Sequence, residues 1–491
     1  MAKKISVIGA GVSGISAAAH LARKGFKVDV YEKHGSPGGR ARQFKTANGY
    51  TFDMGPSWYW MHDVFEDFFF QFGKSYAEYY EIVDLDPQFE MVFSDGTLEI
   101  PREYHQIKQL FESLEPGAGQ RYDDFMRDAK YKYEISMSKY IEKPCLSITE
   151  FMTWDILKSA LRLDLFTDFR SFVKKYFKHP KLQALMEFPV IFLGASPQQI
   201  PAMYSLMNYG GYALGTKYPL GGFYKIIEGM VSVAESQGAV FHYNQPITKI
   251  NTSANHVTSV VSGDTLIETD TVVASADYNH IENMLSESNR NYSETYWDKR
   301  ILAPSALLFY IGFDVPLAGL KHHTLFFEPS LDDHLDDIYK HPSWPRDPLF
   351  YVCCPSKTDT SVAPENHENV FFLMPIASGI TEDSSQHEVY FDIMLSRLEK
   401  HIGMVGLKEH IDYKKSYCVS DFERDYHAFK GNAYGLANTL NQTAFLKPSI
   451  KNRSLKNLLY TGHLTVPGPG MPPSIISGKI VANEVHKLLK R

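Results

Sequence analysis

The sequence predicts a mixed α/β fold of two or three domains, on the basis of its length and of the patterning at its two ends. At 491 residues the chain is too long for one ordinary core, since a domain averages about 150 residues. The first 32 residues read as strand, glycine turn, helix and second strand. Residues 458–489 read as a short apolar strand, a glycine- and proline-rich loop and a helix. We therefore expect one α/β domain to be assembled from both ends of the chain.

The composition is that of a folded protein and speaks against nucleic acid as a partner. Hydrophobic residues make up 44% of the chain and aromatic residues 14%, which is rich enough to line a large apolar cavity. The formal net charge is -7 and the pI is near 6.3. Because phosphate binding needs a dominant basic face, these values argue against a role in binding DNA or RNA.

Cysteine and histidine usage predicts no metal and a reducing, cytoplasmic location. The four cysteines contain no C-x-x-C pair, so they suggest neither a zinc site nor a disulfide framework. The histidines show no metal-binding spacing, and we expect His322 and His323 on a loop. The amino terminus leaves no room for a signal peptide, and no apolar stretch reaches the ~18 residues needed to span a bilayer. Any membrane contact is expected to be peripheral.

The first glycines form the G-x-G-x-x-G pattern of a Rossmann-type dinucleotide-binding unit. Gly9, Gly11 and Gly14 follow the apolar run Ile5–Ile8 and begin a helical stretch. The first glycine permits a tight turn, the second lets the backbone approach a pyrophosphate, and the third lets helix and strand pack closely. The amino-terminal end of the helix then meets the phosphate charge. The alternative is a glycine turn of an ordinary α/β protein.

Glu32 speaks against NADP, and the segment Gly38-Gly39-Arg40 favours FAD over NAD as the dinucleotide. Glu32 ends the second predicted strand, where a carboxylate can accept both ribose hydroxyls and disfavours the 2′-phosphate of NADP. Gly38 and Gly39 allow a second close approach of the backbone, and Arg40 offers a bidentate fork to a phosphate oxygen. The alternative for Arg40 is an ordinary surface charge.

The rest of the chain divides into a helical stretch and several strand-rich stretches. Residues 102–208 show long amphipathic patterns with few strand features, whereas short strands return between residues 238 and 374. The predicted fold is therefore a discontinuous Rossmann-type FAD-binding domain, a sheet-based substrate domain and a helical insertion that associates with the membrane. The predicted boundaries are 1–75, 205–290 and 445–491 for the FAD-binding domain, 76–100 and 291–444 for the substrate domain, and 101–204 for the helical domain.

Several motifs carry a resemblance to a known family. Residues 5–42 resemble the fingerprint of the glutathione-reductase-type flavoproteins, in the branch of amine oxidases, carotenoid desaturases and GDP-dissociation-inhibitor proteins. Four further segments resemble, in order and spacing, the phytoene-desaturase type of bacteria and fungi: residues 49–56, 218–222, 358–364 and 468–472. The resemblance implies FAD as the bound redox cofactor, a long polyene as the substrate and peripheral attachment to a membrane.

The resemblance also implies which residues hold the cofactor. Gly9, Gly11, Gly14 and Glu32 would hold the pyrophosphate and the adenosine ribose, Gly39 and Arg40 the flavin side of the phosphates, and the backbone of Ile247 the adenine; Gly462, with Gly470 and Met471 of the loop 467–472, would lie against the ribityl chain and the pyrimidine edge. One departure is that His463 follows Gly462, where many relatives of the wider superfamily have a carboxylate. His463 and Asp53 are the titratable residues nearest the segments expected to face the flavin, and they are the candidates for catalysis.

Two apolar patterns concern the substrate. A helical stripe between Phe151 and Phe177 is flanked by lysines and arginines, which predicts a helix lying in the membrane interface; core packing is the alternative. The stripe contains Trp154, Leu157, Leu161, Leu165, Phe169, Phe172 and Tyr176. Trp58 and Trp60 follow the 53–56 turn, and we expect them to line a tunnel for the polyene beside the flavin, although such aromatic runs are also common in cores.

The expected function is therefore desaturation of a carotenoid by hydride transfer to flavin N5. The substrate is either phytoene-like or a hydroxylated carotenoid that is desaturated at a 3,4-bond. Two alternatives stay open: a polyene isomerase that uses reduced FAD, and a flavin-free prenyl-lipid-binding protein of the GDP-dissociation-inhibitor type. The segments expected to face the flavin, Trp58–Met61 and Pro467–Pro473, contain no carboxylate, lysine or histidine. Alignment of the substrate is therefore expected to dominate catalysis, without one indispensable base.

Overall fold

A computed structural model describes residues 2–151 and 162–490. The predicted mixed α/β fold is confirmed, since the described residues form a parallel sheet, a larger mixed sheet and a set of helices. The strands are β1 (Lys4–Ile8), β2 (Lys27–Tyr31), β3 (Gln43–Lys45), β4 (Thr51–Asp53), β5 (Ile82–Asp84), β6 (Phe89–Phe93), β7 (Gly96–Ile100), β8 (Lys217–Pro219), β9 (Val240–His242), β10 (Ile247–Ser253), β11 (His256–Ser262), β12 (Thr265–Glu268), β13 (Thr271–Ala274), β14 (Ser305–Phe313), β15 (His323–Phe326), β16 (Phe350–Cys353), β17 (Glu368–Ile376), β18 (Ile411–Tyr417) and β19 (Leu458–Tyr460).

The α-helices lie mainly between these strands and in the segment that precedes β8. They are α1 (Val12–Arg23), α2 (His62–Gln71), α3 (Tyr104–Leu114), α4 (Ala118–Ile135), α5 (Phe169–Tyr176), α6 (Pro180–Ile191), α7 (Leu206–Asn208), α8 (Tyr224–Ser236), α9 (Tyr278–Asn283), α10 (Glu294–Asp298), α11 (Leu331–Tyr339), α12 (Ser384–Ile402), α13 (Val419–Tyr426) and α14 (Met471–Leu489). No helix among the described residues is long and apolar enough to cross a bilayer.

The parallel sheet has the strand order β19-β13-β1-β2-β9 and takes its strands from three distant stretches of chain. All three stretches lie within the segments predicted for the FAD-binding domain. The apolar residues of β1 are buried, as expected for a parallel strand covered on both faces. Helix α1 packs closely against α14, because a Cβ atom on Gly478 would lie only 2.4 Å from the carbonyl oxygen of Ser13. The two ends of the chain thus share one core.

The second large sheet has the order β18-β14-β17-β16-β15-β6-β7, and all its neighbouring strands are antiparallel except β15 and β6. Every residue of β14 is buried. Because successive side chains of a strand point to opposite faces, Leu307 and Phe309 pack in the core beneath α12, whereas Ala306 and Leu308 line a large cavity. The sheet therefore forms one wall of that cavity.

The predicted membrane helix between Phe151 and Phe177 is wrong in its described part. Residues 152–161, which include Trp154, Leu157 and Leu161, lie outside the described residues. A turn over 162–166 precedes α5, and Phe169 and Phe172 in α5 are only 0% and 4% exposed. Phe172 packs against Phe125 of α4 with ring centroids 5.3 Å apart. The stripe arises because these aromatic residues fill the core between helices.

Candidate active site

One cavity of about 580 Å³ lies between the two large sheets. Residues that follow four parallel strands line it: Gly9 after β1, Glu32 after β2, Ser275 after β13 and Gly462 after β19. In open parallel sheets, ligands bind outside the carboxyl ends of the strands. The other wall of the cavity is apolar and includes residues of the seven-stranded sheet.

The glycine turn after β1 is shaped for close approach. Gly9 has a φ of +98°, and a Cβ atom there would lie 3.2 Å from the backbone nitrogen of Ala276. A Cβ atom on Gly14 would lie 2.1 Å from the carbonyl oxygen of Gly9, so only glycine lets helix and turn pack in this way. A Cβ atom on Gly11, in contrast, would meet nothing within 4 Å. Since no side chain caps α1 at Gly11, its first amides are available to an anion in the cavity.

The Glu32 carboxylate is held in place by backbone amides on both sides. One oxygen accepts a hydrogen bond from the nitrogen of Ala10 at 2.8 Å, and the other accepts one from the nitrogen of His34 at 3.0 Å. Glu32 is 6% exposed and lines the cavity together with Ile247. A carboxylate oxygen has two lone pairs, so both oxygens can still accept hydroxyl groups of a ribose.

Arg40 is held by residues that are distant in sequence. Its Nη2 donates to the carbonyl oxygen of Asn432 at 3.2 Å, and the guanidinium lies 5.0 Å from the centroid of the Tyr426 ring. Desolvation lowers the pKa of Arg40, and the charge of Asp277 opposes that effect. Its buried Nε has no hydrogen-bond partner among residues 2–151 and 162–490. An arginine with an unused donor at a cavity wall suits a phosphate oxygen.

The carboxy-terminal loop places a second helix end at the cavity. Gly462, Gly468 and Gly470 have φ values of 116°, 144° and 107°, which L side chains rarely adopt. Helix α14 begins at Met471, and its N-cap Gly470 offers no side-chain cap. Gly470 and Met471 line the cavity, so the positive end of this helix dipole faces it.

These features together fit a flavin dinucleotide. The fixed carboxylate of Glu32, the first turn of α1 and Arg40 suit an adenosine and two phosphates. The start of α14 suits the pyrimidine edge of an isoalloxazine, because that edge gains negative charge when a flavin is reduced. The cavity then continues between aromatic side chains.

Comparison with known proteins agrees with this geometry. A family model described as flavin containing amine oxidoreductase matches residues 12–486. The chain belongs to this family. Members of this family are flavin-dependent oxidoreductases, and so is this protein. The cavity has the features that a flavin requires.

Two curated relatives of this flavin oxidoreductase cover almost the whole chain. A carotenoid 3,4-desaturase from Haloarcula japonica is 39% identical over 97% of both chains. A 4,4'-diapophytoene desaturase (4,4'-diaponeurosporene-forming) from Staphylococcus haemolyticus is 30% identical over 97% of both chains. Two solved structures share the fold at low identity. A putrescine oxidase variant has a TM-score of 0.64 at 11% identity, and a putative protoporphyrinogen oxidase from Exiguobacterium has 0.62 at 13%, each over all of both chains.

The catalytic candidate Asp53 does not line the cavity of this oxidoreductase. Its carboxylate accepts hydrogen bonds from the backbone nitrogen of Phe223 at 2.7 Å and from the side-chain amide of Gln43 at 3.1 Å. A Cβ atom on Gly222 would lie 2.7 Å from the same carboxylate. Desolvation raises the pKa of Asp53 to about 6. Asp53 therefore holds the turn before α8, a structural task that does not support its predicted catalytic role.

The other candidate, His463, does line the cavity. Its ring fits against Gly435, where a Cβ atom would lie 2.3 Å from the ring. Burial holds the pKa of His463 well below its usual range, and the charges of Arg40 and Lys447 lower it further. His463 is thus neutral at physiological pH, and its Nε2 has no hydrogen-bond partner in the described part of the chain. A strongly lowered pKa makes it a poor proton acceptor.

Both expected tunnel residues line the cavity. Trp58 stacks on His323 with ring centroids 4.2 Å apart, and Trp60 donates from Nε1 to the hydroxyl of Thr216 at 2.8 Å. The neighbouring Phe188 and Phe192 also line this part of the cavity. These rings form an apolar wall that continues from the flavin-binding half.

His322 lies in a loop, as predicted, whereas His323 is the first residue of β15, and both side chains are buried. One ring nitrogen of each lies within 4.8 Å of the other and of the Cys353 sulfur. Glu382, His387 and Cys418 form a second such group. Structural zinc sites take four protein ligands, and each group supplies three. The absence of a resident metal stays a prediction.

Sequence reasoning missed the partners that hold Arg40. Asp277 lies just beyond β13, Tyr426 ends α13, and Asn432 follows it. The position of Asp277 could have been found, because a residue that follows a strand of the parallel sheet faces the same edge as Gly9. Tyr426 is the last residue of a short helix and Asn432 lies in irregular chain, and no periodic pattern points either of them to the cavity.

Proposed function

We propose that this protein is an FAD-dependent carotenoid desaturase, which introduces C=C bonds into a long polyene. The observation that supports it most is the continuity of the cavity: a dinucleotide-binding half and an aromatic, apolar half share one space. The desaturase relatives, at 39% and 30% identity over nearly the whole chain, support the substrate class. When bound, the flavin would accept a hydride from a saturated bond beside the polyene.

FAD is proposed rather than a smaller flavin because the site has an adenosine end. Glu32 and Ile247 line the cavity beyond the glycine turn and Arg40, where neither FMN nor riboflavin would reach them. The carboxylate of Glu32 suits a ribose diol. The cofactor would then run from Ile247 past Gly11 to Gly462 and Met471.

The protein residues are proposed to position the polyene and to exclude water. Trp58 and Trp60 line the tunnel together with Ala306 and Leu308 of β14. A rigid slot lined by these side chains would hold one carbon–carbon bond against the flavin, which converts an improbable encounter into a fixed geometry. Desaturation at a 3,4-bond is the first reaction to test, because the relative at 39% identity carries that name.

Peripheral membrane contact is proposed at a different place from the predicted helix. Cys145 and Ala444 line the cavity, and their neighbours Leu146, Phe445 and Leu446 are 41%, 42% and 43% exposed. The two segments lie near each other, since Cys145 acts electrostatically on Lys447. Exposed apolar side chains around a cavity mouth would let a water-insoluble polyene enter from a bilayer. With no disulfide among the four cysteines, the cytoplasmic face is the proposed side.

The test is anaerobic incubation of the purified protein with carotenoids in liposomes. A desaturase should bleach its flavin in one turnover and release a product two mass units lighter. An isomerase would give a product of unchanged mass, and a prenyl-lipid-binding protein would be colourless. Either of those outcomes would reject the proposal, and a panel of phytoene-like and hydroxylated carotenoids identifies the substrate.

A further inference from the structure

Lys447 is a buried lysine beside the carboxy-terminal loop of the cavity. The residue is 5% exposed, and its ammonium nitrogen forms no hydrogen bond with any described residue. That nitrogen lies 3.5 Å from the position that a Cβ atom on Gly468 would take. Gly468 lines the cavity two residues before the N-cap of α14. Lys447 therefore sits directly behind the part of the wall assigned to the isoalloxazine.

The described surroundings of Lys447 contain polar groups but no countercharge. Asn438 lines the cavity, and its side-chain oxygen lies 3.2 Å from the same Cβ position on Gly468 and also lacks a partner among the described residues. No carboxylate in the described ranges forms an ion pair with Lys447. Cys145 and His463 are close enough to Lys447 to interact with it electrostatically, and burial lowers the pKa of Lys447 to about 7. Buried lysines are normally paired, so this one lacks the anion that it needs among residues 2–151 and 162–490.

We infer that Lys447 provides the positive charge that stabilises the reduced flavin. In the proposed reaction the substrate loses a hydride, which goes to the oxidised flavin, and a proton, which goes to solvent. The flavin gains two electrons and one proton, and its net charge becomes more negative by one. An ammonium group behind Gly468 and the start of α14 would act on that charge from the same end of the cavity.

This inference rests on the proposed FAD site and not on the identity of the polyene. It is tested with the flavin-loaded full chain by substituting Lys447→Met, which removes the charge at similar length, and Lys447→Arg, which keeps it. Lys451→Met is the matched control, because Lys451 is four residues further on, 41% exposed and paired with Glu484 at 2.7 Å. The readouts are the reduction potential of the bound flavin, measured against a reference dye, and its affinity for sulfite. Sulfite adds to flavins and, like reduction, leaves negative charge on the pyrimidine ring.

Lys447→Met should favour the oxidised flavin by about tenfold, which for a two-electron couple lowers the potential by ~30 mV. Its sulfite Kd should rise by about tenfold or more. Lys447→Arg and Lys451→Met should stay within about threefold of the parent protein on both measurements. These values do not depend on turnover, so an incorrect substrate class would leave them unchanged.

An unchanged potential and sulfite affinity in Lys447→Met, with flavin bound, would overturn the inference and leave Lys447 a packing residue. The inference would also fail if Lys447→Met and Lys447→Gln both lost oxidised flavin while still melting cooperatively. Lys447 would in that case serve binding of the oxidised cofactor. A fall in potential that appears equally in Lys451→Met would reject a local effect.

Discussion

Replacing Glu32 by alanine should weaken FAD binding by about 100-fold or more. Two ribose hydroxyls are expected to donate to a carboxylate that the amides of Ala10 and His34 already hold at 2.8 and 3.0 Å. A hydrogen bond to a charged acceptor contributes ~1.5–3 kcal/mol, so two lost bonds correspond to ~3–6 kcal/mol. Every ~1.4 kcal/mol changes Kd tenfold. The lower limit thus gives a factor of about 100, and Glu32→Gln, which keeps one acceptor oxygen, should fall near tenfold.

The assay is titration of flavin-free protein with FAD, in which binding is measured from the quenching of flavin fluorescence. Glu235→Gln is the matched control, since Glu235 is an exposed glutamate of α8 and does not line the cavity. Loss of the bonds to Ala10 and His34 could also loosen the turn, so thermal unfolding of each flavin-free variant is measured alongside. A Kd for Glu32→Ala within about threefold of the parent value would refute the assignment of Glu32 to the ribose.

Three other predictions concern His463, the cavity mouth and Lys447. The rate of single-turnover flavin reduction in His463→Ala should stay within about tenfold of the parent rate, because loss of a true base costs ~10²–10⁴-fold. A thousandfold fall in that rate with flavin still bound would show that His463 is the base. The double variant Leu146→Ser/Leu446→Ser should sediment less with anionic liposomes than the parent protein and keep its flavin spectrum. Phe172→Ser should instead lower the free energy of unfolding by ~3 kcal/mol or more, because Phe172 is a core residue. Sedimentation of the double variant equal to that of the parent protein would contradict the proposed mouth. The pKa of Lys447 falls from its ordinary 10.5 to about 7 on folding, so between those pH values the unfolded chain binds more protons and the stability of the flavin-free protein should rise with pH. Urea unfolding at pH 7 and 9.5 should show that Lys447→Met reduces this rise, and an identical rise in the variant would contradict the shift.

The cofactor half could be predicted because its determinants are local in sequence. Gly9, Gly11 and Gly14 lie within one turn, and Glu32 ends the next strand, so spacing and periodicity alone place them on one edge of a sheet. The partners of Arg40 could not be predicted in the same way. Asn432 reaches Arg40 from nearly four hundred residues away, as the 392-residue separation of their hydrogen bond shows.

The membrane stripe failed for a different physical reason. Apolar residues spaced three and four apart show that one face of a helix is covered, but the pattern is the same whether protein or lipid covers it. Phe172 is covered by Phe125 of α4, a residue in a different helix that the spacing of the stripe does not indicate. The exposed Leu146, in contrast, lies in an irregular segment and Leu446 ends a single 3-10 turn, so no periodicity marks either residue.

The distribution of charge in the cavity explains why alignment, rather than a base, should dominate catalysis. The lining carboxylates Glu32, Asp277 and Asp425 lie near the glycine turn and Arg40, at the end assigned to the adenosine and phosphates. The half beyond the flavin presents Trp58, other aromatic and aliphatic side chains, and His334, whose two ring nitrogens are hydrogen-bonded to the backbone of Pro375 and Leu349. Among the described residues this wall presents no carboxylate, but it can hold a rigid polyene within reach of a flavin, and effective molarities of ~10⁵ M or more from orientation exceed what a single base contributes. Transfer of a hydride to the flavin would leave a cation on the substrate that the conjugated system itself spreads. The carbon next to that cation then loses its proton to solvent as the double bond forms, which removes the need for a strong base at that position.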